Sequence, residues 1–102
     1  MKRYTVVVTP FAADNIREVH SWLAAENPVH AARWLDGIRD KILGLETFPE
    51  AHPVAPESAA FDREIRRALY GRGTPWRIFF TIEGSTVHVP HVRHGRRDHW
   101  RP

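Results

Sequence analysis

The chain has no cysteine in its 102 residues, which excludes disulfides, thiolate nucleophiles and cysteine-ligated metal sites. No apolar run approaches the roughly 20 residues needed to span a bilayer. The opening MKRYTVVVTP also lacks the apolar segment of a signal peptide. A cytoplasmic protein with no membrane partner is the expectation. Lysine is nearly missing, since Lys2 and Lys41 are the only two among fifteen basic residues. Cationic contacts therefore fall to arginine, whose planar fork suits bidentate binding of phosphate or carboxylate. The sequence has no internal repeat, no low-complexity segment and no helix-turn-helix pattern. The last absence argues against sequence-reading DNA binding as the main role.

What is present points to one folded domain over residues 1–102. An apolar share of 42% and an aromatic share of 11% suit a globule with one thin core rather than a disordered chain. Charge is unevenly spread. Residues 1–60 carry six Lys/Arg against eight Asp/Glu, whereas residues 61–102 carry nine Arg against four Asp/Glu. A basic second half suits a polyanionic or acidic partner, and it equally suits simple solubility.

Along the chain, YTVVVT (Tyr4 to Thr9) is a β-branched run and reads as a strand. Thr9-Pro10 then reads as a helix cap followed by proline at the first helical position. Ala12, Ile16, Val19 and Leu23 recur at steps of three and four, with Trp22 beside them. Asn27-Pro28 repeats the cap-then-proline signal, and Ala32, Leu35, Ile38, Ile42 and Leu45 carry a second helical stripe. A single linking residue makes the two helices an antiparallel hairpin packed by Trp22 and Trp34. PEAHPVAPES (Pro49 to Ser58) is a proline-rich connector, and REIRRALY reads as a strand of poor alternation. Trp76, Ile78, Phe80 and Ile82 alternate with Arg77, Phe79, Thr81 and Glu83, the pattern of a half-buried strand. Gly84-Ser85 is a two-residue hairpin turn, and Pro90 in the final strand implies an edge position or a bulge. The order is β-α-α-β-β-β. It predicts an α+β fold, a helical hairpin on a small, mainly antiparallel sheet.

This series resembles the RelE/ParE superfamily of type II toxin–antitoxin toxins. The resemblance is carried by YTVVVTPFAADNI, NPVHAARWLDGI, FPEAHPVAPE and EIRRALYGRGTPWRIFFTIEGSTVHVPHVRHGRRD, which together cover nearly the whole chain. It implies a small cognate antitoxin of ParD or RelB type, a hetero-oligomeric complex and no cofactor. It also implies one of two targets. RelE-like members cleave mRNA on the ribosome, whereas ParE-like members, the plasmid-stabilisation type, poison DNA gyrase. HGRRD (His94 to Asp98) is similar to the terminal pattern of ParE-like chains. The only tyrosines, Tyr4 and Tyr70, lie far from the C-terminus, so the tyrosine variant of the RelE centre is absent.

Cleaving RNA through its own 2′-hydroxyl needs a base, an acid and fixed cations at the phosphate. His91 and His94 with Arg66, Arg77 and Arg93 would supply those groups. A metal reading of His91-x-x-His94 fails on geometry, because residues three apart on a strand point to opposite faces. His20, His30 and His52 read as surface residues. Docking asks less of the sequence. Arg93, His94, Arg96, Arg97, Asp98, Trp100 and Arg101 form a basic terminal patch able to meet an acidic surface without catalytic geometry. A gyrase-binding toxin is therefore the preferred reading, with the ribosome-dependent ribonuclease second. Ala12, Ile16, Ala31, Trp34 and Leu35 mark the outer edge of the hairpin as the expected antitoxin surface.

Overall fold

The computed structural model describes residues 2–73 and 75–95. Strand β1 spans Thr5–Val8, helix α1 Pro10–Glu26 and helix α2 Pro28–Leu43. Strands β2 (Arg66–Tyr70), β3 (Trp76–Glu83) and β4 (Thr86–His94) follow, after three short 3₁₀ turns at Gly44–Glu46, Pro49–Ala51 and Pro56–Ala60. The fold is α+β, as the residue pattern implied.

Both helix starts are set by side-chain caps. Thr9 Oγ1 accepts from the Ala12 N–H at 3.2 Å, and Pro10 occupies the first helical position, where a missing N–H costs nothing. Asn27 serves two helices at once. Its N–H donates to the Leu23 carbonyl at 2.8 Å and closes α1, while its Oδ1 accepts from the His30 N–H at 3.0 Å and opens α2. One extended residue (φ −153°, ψ 98°) thus reverses the chain.

The sheet order is β1-β4-β3-β2. β2 and β4 each run antiparallel to β3, and β1 lies parallel to β4 with Val6 opposite Val87 and Val8 opposite Val89. The helical hairpin covers one face. Ala12, Trp34, Ile38, Ile42, Ala68, Ile78, Phe80, Val87, Val89 and Val92 form the core between them. The Tyr70 hydroxyl donates to the Trp34 carbonyl at 3.0 Å and fastens β2 to α2. Gly37 makes that approach possible, because a Cβ there would overlap the Tyr70 ring and hydroxyl. At the β3–β4 turn Gly84 takes φ 61°, which a two-residue hairpin with glycine at its first position requires.

Three expectations change. Strand β3 is buried on both faces, not one: Arg77, Phe79 and Thr81 are only 6%, 0% and 5% exposed. The connector folds back across the second face, where Ala55, Ile65 and Phe61 pack on Phe79. Pro90 sits in an interior strand, so the edge alternative is excluded and the bulge holds. Phe79 opposes His91 while Thr81 opposes His88, leaving one extra residue on β4. The Val89 carbonyl accepts from the Thr9 N–H on the β1 side, so the Pro90 nitrogen of the same trans peptide faces β3, where the bulge already interrupts the ladder. Trp22, expected to pack the hairpin, is 60% exposed. It lies about 100° round the helix from Leu23 and falls off the buried stripe.

Candidate functional site

Cross-strand register decides which of the candidate residues meet. Trp76 pairs with His94, Arg77 with Arg93 and Phe79 with His91. Alternation places Arg77, Phe79, His91 and Arg93 on the second face, away from the helices, and Trp76, Ile78, Val92 and His94 on the helix face. The ribonuclease set is therefore split between two faces.

On the second face, His91 is 8% exposed and lies between the rings of Phe11 (5.3 Å) and Phe79 (5.9 Å). Its Nδ1 is 2.8 Å from Asn15 Oδ1, which also accepts from the Val92 N–H at 3.2 Å. Because that oxygen is an acceptor, the network assigns the imidazole proton to Nδ1. Arg77 donates from Nη1 to Glu57 Oε2 at 2.6 Å and from Nη2 to the His94 carbonyl at 3.3 Å. The ion pair is deeply buried, with side-chain exposures of 7% and 0%. Burial lowers the Arg77 pKa from its ordinary value, Glu57 opposes that shift, and Arg93 and Arg67 add to it. Besides Glu57, Arg77 therefore feels two further guanidinium groups, those of Arg93 and Arg67.

Arg66 and His94 are elsewhere. Arg66, opposite Phe80, donates to the carbonyls of Glu50 (3.1 Å) and His52 (2.6 Å) and pairs with Glu64 at 2.8 Å. His94 packs edge-on against Trp76 with ring centroids 4.7 Å apart. Four strand positions separate Phe80 from Trp76, which is on the order of 13 Å along β3. A base, an acid and a clamp drawn from these five residues do not converge on one phosphate. His91 and His94 likewise point to opposite faces.

Of the terminal patch, Arg93 and His94 are described and both are partly exposed. Arg96, Arg97, Asp98, Trp100 and Arg101 lie outside the described residues. Among the three histidines expected at the surface, His30 is exposed, whereas His20 and His52 are half-buried. His52 meets the Phe80 ring edge-on at 5.6 Å. Burial, reinforced by Lys41 and Arg66, lowers its pKa from the ordinary value near 6.5.

The expected antitoxin surface is also corrected. Ala12 and Ala31 have no exposed area and Trp34 only 7%, because all three face inward. Ile16 and Leu35 do reach the surface. They line a groove of about 650 Å³ with Val6, Val8 and Leu43, rimmed by Arg17, His20 and Arg39. Val6 and Val8 line this groove from β1, a strand that its β-branched run announces. Their place on an unpaired edge depends on long-range pairing with β4, which no local pattern records.

Among the described residues, no helix is long and apolar enough to cross a membrane. No curated protein matches the chain. A solved chain titled as the chromosomal ParDE toxin–antitoxin system from P. aeruginosa superposes with a TM-score of 0.73. The match covers 90% of this chain and 96% of that one, and at 14% identity it speaks for the fold. The model of the family described as ParE toxin of type II toxin-antitoxin system, parDE, matches residues 6–99. The chain belongs to this ParE toxin family of type II toxin–antitoxin systems.

Proposed function

We propose that this toxin acts by docking on DNA gyrase, and that a cognate antitoxin of ParD type neutralises it. The observation that carries the reading is the state of Arg77. A catalytic clamp has to meet the scissile phosphate, and Arg77 is instead committed to Glu57 in a buried ion pair. With Arg66 bound to backbone carbonyls and His94 on the other face, the general acid–base alternative lacks a shared site. Docking through the basic end at Arg93 and His94 needs no such convergence.

The apolar groove between β1, α1 and α2 supports the antitoxin half of the proposal. Its floor of Val6, Val8, Ile16 and Leu35 suits an amphipathic segment, and its Arg17 and Arg39 rim favours an acidic one. Alternate residues of β1 bond to β4, which leaves the outward N–H groups of Val6 and Val8 available for an added strand. The test is a gyrase supercoiling assay run beside a translating extract, each with the purified toxin. Loss of supercoiling with translation intact supports the proposal. Arrested translation with mapped mRNA cuts would replace gyrase by the ribosome.

A further inference from the structure

Trp22 has no role in the core, yet it places an indole in solvent on helix α1. It lines a depression of about 410 Å³ together with Trp76, Arg93 and His94. A second depression of about 410 Å³ lies across the same Trp76 and His94, walled by Trp34, Tyr70, Arg33 and Arg72. The two share a ridge made of an indole and an imidazole. Each has a size typical of small-ligand sites.

The chemistry of an occupant is defined by charge and by flat rings. Arg33, Arg72 and Arg93 line the depressions against a single carboxylate, Glu18. Arginines interleaved with flat rings match a ligand whose anionic groups alternate with π-faces. Unpaired nucleotides are such a ligand. Duplex DNA is not, because its bases are already stacked and its outside offers phosphate alone.

We propose that the paired depressions flanking Trp76 and His94 form a binding groove for single-stranded nucleic acid. Bases stack on Trp22 and along the Trp76 ridge, and phosphates meet Arg33, Arg72 and Arg93. The groove is independent of which enzyme the toxin attacks.

The experiment titrates the full chain with a fluorescein-labelled oligothymidylate of about 8 nucleotides, within the span of known single-strand sites. Anisotropy and quenching of tryptophan emission are read together. Saturable binding is expected, with a duplex of equal length bound at least roughly tenfold more weakly. Trp22→Ala removes an exposed ring, so circular dichroism should be unchanged while affinity falls by about 5- to 100-fold. Arg33→Gln with Arg72→Gln should weaken binding and reduce the salt dependence by about one to two ions. Arg3→Gln with Arg63→Gln removes the same charge outside the groove and should change affinity less than about twofold. The proposal is overturned by absent binding, by equal affinity for the duplex, by an unaffected Trp22→Ala variant, or by a control pair as damaging as Arg33 and Arg72.

Discussion

A carboxylate with no exposed surface, Glu57, holds Arg77 at 2.6 Å beneath two further guanidinium groups. Such a pair is costly to break and inexpensive to replace whole. Glu57→Ala should therefore destabilise the fold by about 3–5 kcal/mol in urea denaturation, since it leaves a buried cation alone. Glu57→Leu with Arg77→Met should stay within roughly 1–2 kcal/mol of the parent. That double variant also separates the two functional readings. A docking toxin should still arrest growth, whereas a folded but harmless double variant would restore Arg77 to a catalytic role. His52 allows a second residue-level test. Its pKa is lowered in the fold by burial first, then by Lys41 and Arg66, so the native state prefers the neutral ring. Stability from this residue is complete above its unfolded pKa near 6.5 and is lost as pH falls through that value toward the lower folded one. Thermal melts of His52→Gln between about pH 7.5 and 5 should show a shallower acid-side decline than the parent. An unchanged slope would place the acid sensitivity elsewhere.

At the level of elements, the helices were legible because their signals are local. Thr9-Pro10 and Asn27-Pro28 each put a capping oxygen beside a proline that needs no donor. Asn27 caps α2 through its side chain, so Asn27→Ala should cost about 1 kcal/mol, and Asn27→Asp should recover most of it. Hydrogen exchange at His30 should quicken in the alanine variant, while the backbone bond from residue 27 to the Leu23 carbonyl is kept. The strands were legible as strands but not in their surroundings. Alternation in β3 implied one wet face, and the sequence placed Arg77 and Thr81 there. The covering layer comes from Ala55 in the proline-rich connector and from Phe61 and Ile65 between it and β2, a stretch with no periodicity to announce it. The site was read with the same bias. Ile16 and Leu35 lie on the groove as expected, but Ala12, Ala31 and Trp34 follow the same helical spacing into the core. Spacing identifies an apolar stripe; it does not say which edge of the stripe stays uncovered.

Across the whole molecule, the apolar groove and the basic end lie on different parts of the chain, so neutralisation and toxicity should be separable. Leu35→Glu with Ile16→Glu puts two carboxylates on the groove and should abolish rescue by the co-expressed antitoxin while growth arrest persists. If the antitoxin still rescues, it binds elsewhere. Truncation after Gly95 should do the opposite. Among the described residues the core ends at Val92, and the shortened chain should fold and bind antitoxin without arresting growth. A truncated chain that remains fully toxic would place target contact earlier in the chain. The parallel pairing of β1 with β4 has a consequence in time. Thr9 meets Pro90 across 81 residues, so the first strand has no neighbour in the sheet until β4 has been synthesised. Loop closure of that length slows folding relative to the helical hairpin, which needs only local contacts. A ribosome that stops before Thr86 therefore releases a chain able to form the helical hairpin and the β2–β3 pair, with β1 left unpaired. The groove that β1 lines is completed only once β4 is in place.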